Sequence, residues 1–216
     1  MFWLITHKVI LLEHRRREQK TMKTITYKKE ITKPILEIGY DNDCESPREW
    51  TNLGYFITCD KNNYSPDKHE RLENIIKNTG EIAKNQEEHI RLIKSNYRNI
   101  DDNIIAIYPV VKYEHSGISY SLGTMHGFDY SNNGFYIVTA KTQKEIGTKK
   151  KDFIKVITEE LEQYNKWING EIYSFILYDE QGEQVDSCGG FYDIEDIREH
   201  LPKEWKKENL TDYLTQ

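Results

Sequence analysis

Lys150-Lys-Asp-Phe153-Ile-Lys-Val-Ile157-Thr-Glu-Glu-Leu161-Glu-Gln-Tyr164-Asn-Lys-Trp167 is the stretch that decides how this chain folds. Phe153, Ile157, Leu161, Tyr164 and Ile168 recur every three or four residues and make one apolar stripe. That spacing predicts a helix over 150–168 that lays one side on a core. Lys151, Lys155, Glu159 and Glu162 take the opposite side, and Asn169-Gly170 reads as its stop. Immediately after it, Ile172–Tyr178 and Gln184–Cys188 flank the turn-forming Asp179-Glu-Gln-Gly-Glu183, the pattern of a hairpin. A one-striped helix followed by a hairpin predicts helix-on-sheet packing with antiparallel pairing.

Upstream, Thr24–Tyr40 is β-branched and predicts one or two strands around Pro34, and 41–52 reads as a polar loop. Leu53–Cys59 reads as a strand. Leu72, Ile75, Ile76, Ile82, Ala83, Ile90, Ile93 and Tyr97 keep helical spacing, which predicts a helical insertion at 67–98 broken near Asn78-Thr-Gly80. Ile104–Tyr113 is the most hydrophobic run and predicts a buried strand, with Pro109 placing it at an edge or a bend. Phe135–Thr139 reads as a strand after the turn-prone Ser131-Asn-Asn-Gly134, and Asp193–Leu214 as one or two short amphipathic helices. The expected architecture is α+β: a mobile basic extension at 1–22, then a single domain at 23–216 whose mostly antiparallel sheet is packed by the 150–168 helix.

The chain has 216 residues, 37% hydrophobic and 31% charged, with a mean hydropathy of -0.79. Fifteen Tyr, seven Phe and four Trp supply large buried faces despite that polarity. No run approaches the roughly 18 apolar residues of a spanning helix, so no membrane association is expected. Net charge is -6, but residues 1–29 hold eight basic and two acidic groups, leaving 22 basic against 34 acidic in the body. So acidic a body repels phosphate, and nucleic-acid binding by it is not expected. Cys44, Cys59 and Cys188 are an odd number without a C-x-x-C pair and read as reduced thiols.

Four polar segments hold the residue types that carry chemistry. Asp41-Asn-Asp43-Cys-Glu45 offers alternating carboxylates to a hard divalent cation, but lacks the spacing of a calcium loop. Ser46-Pro-Arg48-Glu49-Trp50-Thr-Asn52 offers a guanidinium for bidentate contacts and an indole for stacking; its alternative is an Arg48–Glu salt bridge over a buried Trp50. Tyr113-Glu-His115-Ser116-Gly-Ile-Ser119 sets a histidine just past a strand, and His115 is the candidate catalytic group. Adjacent residues on a strand face opposite ways, so its partner is Ser119 or a distant residue. Asp186-Ser-Cys188-Gly-Gly-Phe-Tyr192 has two glycines permitting close backbone approach. Asp129 completes the set. No phosphate-cradling loop, His-Glu-x-x-His or nucleophile elbow is present.

These segments together resemble a widespread family of small bacteriophage-encoded proteins. Glu45-Ser-Pro-Arg-Glu-Trp-Thr-Asn-Leu-Gly54 is similar to that family's Ser-Pro-Arg-Glu-Trp-Asp-Asn-Leu-Gly, and Tyr113-Glu-His-Ser-Gly-Ile-Ser119 to its Tyr-Asp-His-Ser-Gly-Ile-Thr. Tyr130–Thr139, Asn169–Phe175 and Asp186–Tyr192 resemble further blocks in the same order. This chain departs from them at Thr51, at Phe128-Asp-Tyr130 where Trp-Asp is usual, and at Gly189 where the family has Trp. The resemblance implies a phage source and the host bacterial cytoplasm, and supplies no reaction. The expected function is that of an accessory protein binding a host protein, another host macromolecule or a small signalling molecule, with counter-defence inhibition as one form. No cofactor is expected. The alternative is a metal-dependent hydrolase or nuclease with Asp41, Asp43, His115 and Asp129 around a divalent ion. A third reading makes the acidic body a nucleic-acid mimic.

Overall fold

The computed structural model describes residues 35–59, 65–97 and 102–215. The extension at 1–22 and any strand within 24–34 lie outside them. In order the elements are β1 (Ile35–Tyr40), β2 (Tyr55–Thr58), α1 (Glu70–Gly80), α2 (Gln86–Asn96), β3 (Ile104–Glu114), β4 (Ile118–Leu122), β5 (Tyr130–Thr139), α3 (Ala140–Ile146), α4 (Phe153–Ile168), β6 (Tyr173–Tyr178) and β7 (Gln184–Phe191). A four-stranded sheet runs β2-β5-β3-β4 and a three-stranded sheet runs β1-β6-β7. The fold is α+β. Among the described residues no helix is long and apolar enough to cross a membrane.

Period-two alternation sorts the four-stranded sheet onto two cores. Phe56, Val110, Tyr136 and Val138 face one way and meet Phe153, Ile157, Leu161 and Tyr164 of α4. Their neighbours Ile57, Phe135 and Ile137, with Ile107, face the other way and meet Leu72 and Ile76 of α1 and Ile93 of α2. The α4 stripe therefore covers one face as expected, and the helical insertion covers the other. Burial on both faces is why Phe135–Thr139 reads as an unbroken apolar run.

Several local expectations are corrected. β3 is an interior strand, not an edge; of the two expectations for Pro109 only the irregularity has a counterpart, a register shift against β5 between Val110 and Lys112. The Pro109 carbonyl accepts the Gly123 amide at 2.8 Å, so its missing N–H falls on the last rung with β4, where one donor is dispensable. Ser131–Gly134 belongs to β5 and is not a turn: Gly134 pairs with Val110 and Thr58. A Cβ on Gly134 would sit 2.9 Å from the Val110 carbonyl. The break between α1 and α2 lies at 81–85, just after Gly80. Residues 193–214 form the 3-10 turns Ile194–Glu199 and Leu210–Tyr213 in place of α-helices. Pro202 interrupts a continuous helical ladder, and Arg198 Nη1 instead donates to the Lys206 and Glu208 carbonyls at 2.8 and 2.9 Å.

The chain divides into two compact units, Leu36–Ile176 with Asp186–Gln216 in one, and Ile35 with Leu177–Val185 among the described residues of the other. In the second, Asp179 Oδ1 accepts the Gln181 and Glu183 amides, both at 2.9 Å, and closes the hairpin turn.

Gly54 shows how tightly β2 approaches β5. A Cβ there would collide with the Ile137 carbonyl and lie 2.8 Å from Tyr136 Cε1. Gly54→Ala is expected to destabilise the fold by about 1–3 kcal/mol, the usual cost of overpacking, read as a lower thermal midpoint.

Candidate functional site

The Ser46–Gly54 block builds a buried charge network. Ser46 caps the 3-10 turn Pro47–Glu49, with Pro47 as its first residue. Arg48 is thereby turned inward, its side chain only 3% exposed. All five of its N–H groups are used. Nε and Nη2 hold Asp67 Oδ1 and Oδ2 at 2.9 and 2.6 Å. Nη1 donates to Asn52 Oδ1 at 3.0 Å and Glu160 Oε2 at 3.1 Å, and Nη2 also to the Gly54 carbonyl at 2.8 Å. Glu160 further accepts from Tyr136 Oη and, at 2.9 Å, from the Leu53 amide, while Asp67 accepts the Phe56 amide at 2.6 Å.

Burial works against the Arg48 charge, yet the hydrogen bonds and charge of Asp67 outweigh it and hold the guanidinium above its ordinary range. Burial, then Glu160, push the Tyr136 phenol far up. With every donor engaged, Arg48 has none left for a ligand: it ties the loop to β2, β5 and α4. The expected Arg48–Glu bridge exists, its glutamate being Glu160, but Trp50 is not buried; it is 46% exposed. Trp50, Glu49 and Asn52 line a cleft of about 600 Å³ with Tyr55, Lys68, Thr142 and Glu145. His115, Asp129 and Cys188 do not line it.

Two pairs of loops come together. Asp41 Oδ2 accepts the Gly190 amide at 2.8 Å, and the Trp50 and Tyr192 rings meet edge-on at 5.8 Å. Trp167 Nε1 donates to the Cys44 carbonyl at 3.1 Å and Lys166 Nζ to that of Tyr192 at 2.7 Å. Asp43, Glu45, Asp186 and Cys188 lie exposed on this side. Burial, then Cys44, push the Tyr192 phenol up to about 12. Its unfolded value is about 10, so the unfolded chain deprotonates first. Stability is therefore expected to be intact below pH 10 and to fall as pH rises to about 12. Tyr192→Phe removes that step, visible by tyrosinate absorbance and alkaline melts.

The second pair is the β3–β4 turn and the Gly123–Asp129 loop. His115 Nδ1 lies 3.8 Å from Asp129 Oδ2, with both side chains exposed, so the pair contributes little to stability. Ser119 faces Tyr113 across the ladder, and Ser116 is exposed. Tyr113 meets Tyr130 at 5.0 Å and stacks on His115 at 6.4 Å. Beyond them Met125 and Phe128 are 53% and 110% exposed. The loop that carries them is held: Asn132 accepts the Met125 amide at 3.0 Å and donates to its carbonyl at 2.7 Å, and Glu114 N donates to the Asp129 carbonyl at 2.9 Å.

Asp41, Asp43, His115 and Asp129 are thus not gathered around one point: Asp41 serves Gly190 and Asp43, while His115 serves Asp129. Among the described residues no three His, Cys, Asp or Glu side chains group as a cation site. Sequence reasoning missed Asp67, Glu160 and the exposed Met125 and Phe128. Glu160 had a signal, since it falls three residues after Ile157 and four before Tyr164, inside the apolar stripe. In comparisons with known proteins, no family model, curated protein or solved structure matches the chain.

Proposed function

We propose that this chain is a phage accessory protein that acts without catalysis, by docking on a host protein through the aromatic finger Gly123–Tyr130. The observation that carries the reading is Phe128, fully exposed on a loop whose backbone is fixed by Asn132. Monomeric proteins rarely leave Met, Phe and two Tyr rings together in water unless something covers them. A pre-ordered loop also lowers the entropy lost on binding. The finger projects, so its occupant is a partner protein with an apolar pocket. The acidic body favours a protein partner over nucleic acid, and blocking a host defence effector in the bacterial cytoplasm is the form of action this suits.

The test is Phe128→Ala in a binding titration against a partner purified on the parent protein. Lost affinity with an unchanged melting temperature is expected. Sedimentation of the parent alone gives the other outcome: self-association abolished by the same substitution would make the occupant a second copy.

A further inference from the structure

A second cleft lies on the opposite core, beneath the turn between α1 and α2. We infer that it is a binding site for a small organic oxyanion, a carboxylate or phosphate carried on an apolar body. Its volume is about 500 Å³. The floor is apolar: Ile76 and Phe135 are buried, and the His89 ring stands edge-on to Phe135 at 4.8 Å. His89 is locked there, because its Nε2 lies 2.9 Å from the Ile76 carbonyl, which can only accept.

Above that floor the chemistry is donor-rich. The Gln86 amide nitrogen is buried and has no hydrogen-bond partner. A buried donor left unmade costs its full desolvation, and an acceptor brought by a ligand removes that cost. Lys77 and Lys84 line the cleft beside one carboxylate, Glu81, and supply two ammonium groups to an anion there. Asn85 and Asn133 add amides. Cys59 also lines the cleft, but burial, then Glu73, raise its thiol pKa, which leaves it a neutral wall and no nucleophile. Asn132 forms part of the same wall while clamping Met125, so the cleft abuts the base of the finger.

The experiment titrates the full chain with inorganic phosphate, phenyl phosphate and benzoate, following the Gln86 side-chain amide by nitrogen-15 NMR and the melting temperature. Phenyl phosphate and benzoate are expected to move the Gln86 resonance and raise the melting temperature, inorganic phosphate less so for want of an apolar body. The stronger of the two identifies the headgroup. Gln86→Leu keeps the volume and removes the unmet donor. It is expected to melt no lower than the parent and to bind roughly tenfold more weakly, the loss of one hydrogen bond to a charged group. Lys77→Ala with Lys84→Ala weakens binding further, whereas Lys94→Ala, outside the cleft, leaves it unchanged. A parent Gln86 resonance that no probe moves, or equal protection of Gln86→Leu and the parent, overturns the assignment.

Discussion

Arg48→Met is expected to remove about 3–5 kcal/mol of stability, the cost of stranding buried charges by deleting one partner. The carboxylates left behind, Asp67 and Glu160, have side chains only 12% and 13% exposed. The Gly54 carbonyl and Asn52 Oδ1 would lose their donor as well. A domain of this kind holds about 5–15 kcal/mol in all, so the loss is a large fraction and shows as a lowered denaturant midpoint. Arg48→Lys is expected to recover little, since an ammonium cannot span Asp67, Asn52, Glu160 and Gly54 at once. The triple substitution Arg48→Met, Asp67→Asn, Glu160→Gln is expected to regain part of the loss, because no unpaired charge then remains. A single Arg48→Met change costing less than about 0.5 kcal/mol, the range of ordinary surface substitutions, would make the network incidental.

The second large effect is on binding. Phe128→Ala removes a fully exposed ring that contacts nothing needed for folding, so the melting temperature should hold. Central aromatic anchors contribute about 2–4 kcal/mol to an interface, equivalent to roughly 30- to 1000-fold in affinity. Tyr113→Ala and Met125→Ala, beside it, are expected to cost less. His115→Ala is expected to alter binding modestly and stability hardly at all, because its pairing with Asp129 is solvent-exposed.

The sequence made the main scaffold legible where an element carries an unbroken apolar run, as in β3 and β5, or where one face meets a core and the other meets water. α4 shows its stripe for that last reason, as do α1 and α2, and the β6–β7 hairpin announces itself by the five-residue turn Asp179–Glu183, although β7 is exposed from Gln184 to Gly190. Elements held by other means stayed hidden. β4 is short, with only Tyr120 buried. α3 offers almost no apolar pattern and is set by the Thr139–Thr142 capping box and Gly147. Ser131–Gly134 has turn composition because Asn132 serves the neighbouring loop and Gly134 must admit Val110, requirements that only the sheet imposes.

The polar blocks were harder still. Arg48, Asn52 and Gly54 look like ligand chemistry by residue type, yet their partners lie up to 112 residues away. Nothing local shows that a guanidinium's donors are all engaged. Segment 41–52 meets 188–192, and 113–119 meets the Gly123–Asp129 loop, of which the sequence singled out only Asp129. Phe128, which reads in sequence as one aromatic among many, becomes the outstanding surface residue once Tyr113, Tyr130 and Asn132 are in place around it.

The most direct measurement sets Phe128→Ala beside Ile154→Ala, another exposed apolar truncation, on the outer side of α4. Both are titrated calorimetrically against the partner isolated on the parent protein, with melts in parallel. A partner that binds the parent and Ile154→Ala alike, and Phe128→Ala at least about thirty-fold more weakly, with all three melting together, is the expected outcome. Equal affinity for the parent and a folded Phe128→Ala protein would mean that the finger is not the working surface.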